Sequence, residues 1–261
     1  MGAGYVGMAL LTSFEKKSYE VCITTTQKER VEMLKLYGQQ VLLLNSADDQ
    51  NLKETLETCD GIIILIAPKN SQSYEETYLH TAKRIVSALG ERLTPFYILY
   101  ISSTSVYEGT EGEWVFEDSP LHPYSENAKI LLQTERCYLN AGVDTCILRL
   151  GGIYGPKRDL LDRARRFSGT QMSGTGLEPT NHIHLSDIIN AINFCLTSSL
   201  LGIYNLVSDS HPTRKDLYSS LCFSLGLPIP IWNDTESKIK SYKVSNQKIK
   251  ESGFTFTHLS I

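Results

Sequence analysis

No cysteines are paired as C-x-x-C: Cys22, Cys59, Cys137, Cys146, Cys195 and Cys222 stand singly, most among apolar neighbours, as in "CILRL" and "INFCL". That spacing offers no disulfide or metal framework and reads as buried, reduced thiols. Long apolar runs are missing too. "GIIILIAP" is of strand length, so nothing here crosses a bilayer as a helix. The chain opens on a glycine loop, without the basic stretch that begins a secretory signal. Surplus charge is small: 25 Lys and Arg face 29 Asp and Glu, a net charge of -4, which gives no bulk attraction to nucleic acid or an anionic membrane. These absences make the cytoplasm the default location and a small molecule the expected partner. Internal repeats and low-complexity tracts are absent as well.

What is present is alternation. Val/Ile/Leu-rich runs ("YEVCITTT", "QQVLLLNS", "GIIILIAP", "PFYILYISSTSVY", "VDTCILRLGGIYG") alternate with helix-like stretches such as "KERVEMLKLYG", which Gly38 closes, "SYEETYLHTAKRIVSALG" and "SENAKILLQTERCYLNAG". Continuous apolar strands suit a sheet covered on both faces, and strand-helix alternation requires right-handed crossovers. The predicted fold is α/β, a doubly wound parallel sheet of Rossmann type. Residues 1–155 are expected to form the dinucleotide-binding part. Residues 156–261, with looser patterning and helices near Ser186–Thr197 and Thr213–Leu225, are expected to form a smaller, partly interleaved substrate lobe.

The opening "MGAGYVGMALLTSF" places Gly2, Gly4 and Gly7 as G-x-G-x-x-G ahead of a helix-compatible run. In such a loop Gly2 makes the tight turn, Gly4 lets a pyrophosphate approach the backbone, and Gly7 lets the helix pack on the sheet. Amides at the helix start, those of Tyr5 and Val6 among them, then face the phosphates. Only Met1 precedes the loop, so the strand that normally leads into it is missing from the sequence. Loss of about six apolar residues from the sheet centre removes roughly 10 kcal/mol of burial. The sequence therefore predicts that several more apolar residues precede Met1 in the natural product.

The acidic residue that would bind the ribose of NAD about 20 residues later is replaced by "TTTQKER". Thr25 and Thr26 bring hydroxyls; Lys28 and Arg30 bring cations that suit a 2′-phosphate. The cofactor expected is NADP or NAD, with NADP favoured. The competing reading makes Lys28 and Arg30 solvated residues of a helix's first turn. "TNHIHLSDI" places His182 and His184 on one side of an extended stretch, but two histidines without a third ligand give no metal site. Asp187 reads as a helix-start residue.

With "SSTSVYEG", "WVFEDSPLHP", "LRLGGIYGP", "TNHIHLSDI" and "YNLVSD" following "GAGYVG" and "IAP" in order, the chain resembles the extended short-chain dehydrogenase/reductase superfamily. It looks closest to an atypical subgroup of the NAD(P)-dependent epimerase/dehydratase group. The resemblance implies that Ala67 and Pro68 of "IAP" face the cofactor. It also implies that Ser103, with Thr104 beside it, hydrogen-bonds a substrate oxygen; the alternative is that these hydroxyls cap the strand end. Arg158 is expected to meet an anionic substrate group and Asn181 to line the substrate site.

Family members carry an acid/base Tyr four residues before a Lys, one helical turn apart, so that the ammonium lowers the phenol pKa. Counting back eight residues from Glu135 puts Asn127 at the Tyr position and Leu131 at the Lys position. Tyr124 and Lys129 are five apart, which rotates one roughly 140° from the other on a helix. Tyr124, just before a helix that Ser125 would cap, and Tyr107 are the remaining candidate proton donors. The expected activity is hydride transfer with a nucleotide sugar or similar polar metabolite. The other reading is a non-catalytic NAD(P)-binding sensor. Relatives of this type are usually dimers, which leaves a homodimer open.

Overall fold

The computed structural model describes residues 1–14, 19–37, 40–44, 48–68, 73–92, 94–108, 114–233 and 242–261. The first half of the chain runs α1 (Tyr5–Ser13), β1 (Cys22–Thr25), α2 (Val31–Leu34), β2 (Gln40–Leu43), α3 (Asp49–Glu57), β3 (Gly61–Ile64), α4 (Thr81–Leu89) and β4 (Tyr97–Ser103). It continues with β5 (Trp114–Val115), α5 (Glu126–Leu139), β6 (Asp144–Leu150), β7 (Gly152–Tyr154), α6 (Leu160–Phe167), β8 (Gln171–Ser173) and β9 (His182–His184). The last elements are α7 (Leu185–Ser198), β10 (Gly202–Leu206), α8 (Arg214–Ser224), β11 (Ile231–Asn233), β12 (Lys243–Val244) and α9 (Gln247–Glu251). Gly38, read as a helix stop, lies outside the described residues.

Two compact units emerge, each assembled from separate stretches. Unit 1 comprises Met1–Val106, Ser125–Arg149 and Ile189–Ile203; unit 2 comprises Tyr107–Tyr124, Leu150–Ile188 and Tyr204–Ile261. The parallel, helix-flanked sheet expected from the alternation is present. One sheet is ordered β10-β6-β4-β3 and a separate pair joins β1 to β2 in parallel. Strand β6 buries every residue after Asp144, and β4 buries Ile98, Leu99 and Tyr100 in succession. That is the signature of strands covered on both faces. Ile64, Ile85, Ile98, Tyr100, Tyr138 and Ile147 form the heart of the core in unit 1.

Strand β3 differs: Gly61 is exposed, and Ile62 and Ile63 are only half-buried. On one edge it pairs with β4. On the other, Met1 supplies a single rung, its α-amino group donating to the Ile63 carbonyl at 2.6 Å and its carbonyl accepting from the Leu65 amide at 2.9 Å. Donating to one residue and accepting from the next but one is the pattern of a parallel ladder. Among the described residues no strand precedes the glycine loop.

Caps follow the sequence closely. Ser125 accepts from the Ala128 amide at 3.3 Å and starts α5; Thr213 does the same for α8, accepting from Asp216 at 3.0 Å. The run read as one strand through Tyr107 instead stops at Ser103 and makes a single helical turn over Thr104–Tyr107. Ser103 Oγ accepts the Ser105 amide at 3.1 Å, and that bond turns the chain. All six cysteines are free thiols, Cys146, Cys195 and Cys222 being buried. Unit 2 holds three parallel strand pairs, β7 with β9, β8 with β11 and β5 with β12.

Candidate functional site

In unit 1 the glycine loop sits at the end of β3. Gly2 has φ +93°, and a Cβ there would lie 2.6 Å from the Leu65 carbonyl carbon and oxygen. A Cβ on Gly7 would overlap the Gly2 carbonyl oxygen. Packing of the chain on itself therefore requires both glycines. Gly4 is different: its backbone is extended, with φ −83°, and a Cβ there would meet nothing within 4 Å. Among the described residues nothing would be displaced by a Cβ at Gly4.

Helix α1 begins at once, the Met8 amide donating to the Gly4 carbonyl at 2.8 Å. Its N-cap, Gly4, makes no side-chain capping bond, and its first turn holds no acidic residue. The dipole and amide donors of the first turn, which includes Tyr5, Val6 and Gly7, thus meet no protein carboxylate in that turn. Ala67 and Pro68 follow β3 directly after Leu65 and Ile66, the backbone against which Gly2 is pressed.

At the tip of β1, Thr25 is buried, and its hydroxyl accepts the Gln27 amide at 3.1 Å. Thr26 is exposed, and the tight turn Lys28–Arg30 follows. Arg30 donates from a guanidinium nitrogen to the Ala3 carbonyl at 2.8 Å, which fixes the cation against the glycine loop. Lys28 is exposed on the same turn. Thus Arg30, Gly2, Gly4 and the end of β3 are brought together within one unit.

Ser103 and Thr104, half-buried, end β4. The Ser103 hydroxyl lies 2.9 Å from that of Ser105 besides accepting its amide. Behind them Ser102 Oγ donates to Glu135 at 2.6 Å, and Glu135 receives Arg149 at 2.7 Å, both charged side chains being 1% exposed. Asn127 is exposed on α5 and Leu131 is buried on it, so neither position carries a titratable proton. Lys129 is paired with Glu126 at 2.6 Å.

The two tyrosine candidates belong to unit 2. Tyr107 is fully buried and its hydroxyl donates to Asn205 Oδ1 at 2.7 Å. Asn205 in turn donates to the Ser245 carbonyl at 3.0 Å, and its amide N–H is held by Glu117 at 2.7 Å. Glu117 thereby acquires a role that spacing alone did not show. Tyr124 is 64% exposed, and the charge of Glu108, to which its hydroxyl donates, raises its pKa. Asn181 engages both ends of its carboxamide, donating to the Tyr242 carbonyl at 3.1 Å and accepting from the Val244 amide at 2.8 Å. Arg158 closes a turn with Gly155, its amide donating at 2.9 Å.

His182 and His184 share β9 but not an environment. His182 is buried, with no partner for Nδ1 among the described residues, and burial, helped by the Arg163 charge, lowers its pKa to about 4. His184 stacks on His258 at 3.8 Å. Asp187, in the first turn of α7, accepts from the Thr257 amide at 2.7 Å and the His258 amide at 2.9 Å, so it ties down the C-terminal segment besides standing near a helix start. The His182 shift has a definite sign. A histidine held neutral in the folded state, while the unfolded chain protonates below 6.5, costs stability as the pH falls from 6.5 to about 4. The loss expected is about 3 kcal/mol. Urea unfolding at pH 7 and pH 4.5 checks it, and His182→Gln is expected to remove that share of the pH dependence.

Residues 2–206 match the family model described as NAD dependent epimerase/dehydratase family. Protein YeeZ of Escherichia coli (strain K12) is 29% identical over 266 residues, covering 99% of this chain and 94% of that protein. A conserved protein of unknown function from Silicibacter pomeroyi superposes with TM-score 0.79 at 21% identity, covering 99% of this chain and 93% of that one. MoeE5, in complex with UDP-glucuronic acid and NAD, has TM-score 0.77 at 21% identity, over 97% and 91% of the two chains. UDP-glucuronic acid 4-epimerase from Bacillus cereus, in complex with NAD, has TM-score 0.77 at 18% identity, over 95% and 89%. At these identities the structures speak for the fold.

Proposed function

The chain belongs to the NAD dependent epimerase/dehydratase family, and we propose from that premise that unit 1 seats a nicotinamide dinucleotide for hydride transfer with a nucleotide sugar or similar polar metabolite. The observation that carries this reading is the open face at Gly4 beside two glycines that the chain's own packing demands. The uncapped start of α1 supplies the complementary donors. NADP is preferred to NAD because Arg30, anchored on the loop carbonyl of Ala3, and Lys28 supply cations where an acidic residue would receive the ribose.

When bound, the nicotinamide accepts or gives the hydride. The chain's own residues position and polarise. Ser103 or Thr104 donates to the substrate oxygen from the end of β4. With Asn127 and Leu131 in the dyad positions, the usual Tyr-Lys pair is degenerate, and the proton falls to a tyrosine outside it. Both candidate hydroxyls are engaged, that of Tyr107 with Asn205 and that of the exposed Tyr124 with Glu108, so proton transfer from either first breaks that bond. The Glu108 charge raises the Tyr124 pKa, which keeps the phenol protonated and makes it a weaker acid, so it gives its proton only to a stronger base such as a developing alkoxide.

A second reading is favoured by the same two positions, Asn127 and Leu131: a dinucleotide sensor without turnover. The experiment that separates them follows nicotinamide absorbance with NADPH or NADH and a panel of keto-sugar nucleotides. Turnover that drops about 10²-fold in Ser103→Ala or Tyr124→Phe supports the enzyme. Saturable binding without turnover supports the sensor. Arg30→Ala is expected to weaken NADPH about tenfold more than NADH.

A further inference from the structure

The last apolar anchors of the chain are Phe254 and Phe256, both buried; residues 257–261 bury no side chain. Polar bonds hold them instead. The buried Asp187 accepts the Thr257 and His258 amides, as described above. The Leu259 carbonyl accepts the Asp209 amide at 3.1 Å, and the Ser260 carbonyl accepts the Tyr154 hydroxyl at 3.4 Å. The Ile261 amide donates to Ser210 Oγ at 3.1 Å. At the head of this segment the His258 ring stacks on His184, and Ser186 Oγ reaches the Nδ1 atoms of both rings, 2.7 Å from His184 and 3.2 Å from His258. All of these residues belong to unit 2.

The partners fix the protons. The Ser186 amide can only donate, and it does so to His184 Nδ1 at 3.2 Å. That nitrogen is therefore an acceptor, and His184 carries its proton on Nε2. The Asp187 carboxylate can only accept, and its Oδ2 lies 3.2 Å from His258 Nδ1, so His258 carries its proton on Nδ1. The two rings respond differently to acid. A second proton on His258 goes to Nε2 and leaves the bond to Asp187 intact. A second proton on His184 goes to Nδ1, breaks both bonds from Ser186 and sets a cation 3.8 Å from the His258 ring. We infer that His184 is the proton sensor of a latch: neutral pH holds residues 257–261 against the junction of β9 and α7, and acid loosens them. The groups that face the sensor are Ser186 and Asp187 from its own stretch, His258 from the C-terminal segment and Tyr154, ring to ring at 5.0 Å, from β7. Burial and the His258 charge lower the His184 pKa, and Asp187 opposes them. A base whose pKa is lowered in the closed state takes a proton more readily in the open one, so opening gains as the pH falls below 6.5. The latch stands on these bonds, whichever nucleotide unit 1 binds.

Amide hydrogen exchange of the full chain tests it, each rate being divided by the intrinsic rate of an unstructured peptide at the same pH. From about pH 7.5 to about pH 5, protection of the Thr257 and His258 amides is expected to fall at least about threefold. The fall is expected to vanish in His184→Gln, whose side-chain oxygen accepts from Ser186 at either pH. It is expected to persist in His182→Gln, which separates the latch from the global effect of that buried histidine. Long-range proton–nitrogen spectra of the parent, which need no variant, are expected to show His184 with its proton on Nε2 at about pH 7.5. Protection in the parent that does not change with pH, a fall that survives in a folded His184→Gln chain or is lost in His182→Gln, or a His184 proton found on Nδ1 overturns the inference.

Discussion

Glu135→Ala is expected to lower stability by about 3–5 kcal/mol, a large share of the roughly 5–15 kcal/mol that a domain usually has in hand. The reason lies in the burial of both charges. Glu135 and Arg149 are each 1% exposed, and Glu135 also receives both Arg149 Nε, at 3.1 Å, and the Ser102 hydroxyl, at 2.6 Å. Removing the carboxylate strands a guanidinium in the core and leaves the Ser102 hydroxyl without its acceptor. A lone buried charge costs far more than the pair it came from. The double variant Glu135→Leu/Arg149→Met is therefore expected to recover most of the loss. Urea midpoints for both single variants and the double one complete the cycle. A single-variant cost under about 1 kcal/mol would mean that the pair is not buried in solution.

The glycine loop gives the other large expected effect, and the three glycines are expected to divide. Gly2→Ala and Gly7→Ala set a methyl against backbone carbonyls, at 2.6 Å from Leu65 in the first case. Backbone gives way poorly, so overpacking of about 1–3 kcal/mol is expected at each, with a further 1–2 kcal/mol or so at Gly2 for its positive φ. Gly4→Ala meets open space and an ordinary backbone angle. Its stability is expected to change by less than about 1 kcal/mol, while dinucleotide affinity drops at least about tenfold, or 1.4 kcal/mol. Melting curves and NADPH titrations of the three variants separate the roles. Equal destabilisation by all three would deny Gly4 a ligand.

Much of this organisation was legible in the sequence, and particular residues show why. The continuous apolar run at "CILRL" requires a strand covered on both faces, and β6 is one. Ser125 and Thr213 precede helical patterns with hydroxyls in capping position, and both cap. Such signals are local, because a period or a cap involves residues a few positions apart. What the sequence withheld is what distant residues decide. Arg149 inside an apolar run signals an unusual charge, but its partner is 14 residues away on another element. Tyr107 reads as a strand-end hydroxyl, yet Asn205, 98 residues on, holds its oxygen. Asn181 presents a recognition side chain whose carboxamide instead meets Tyr242 and Val244. The end of β4 at Ser103 was missed for a smaller reason: a hydroxyl-to-amide bond two residues long outweighs the strand preference of the Val and Tyr beyond it.

The central claim is that Gly4 and the first turn of α1 receive a dinucleotide diphosphate. Titration calorimetry of NADPH and NADH into the folded parent chain and into Gly4→Val tests it most directly. The account expects saturable binding of one nucleotide per parent chain, NADPH the tighter, and none in a Gly4→Val variant that melts like the parent. A folded parent that binds neither nucleotide, or a Gly4→Val chain that binds both as well as the parent does, contradicts it.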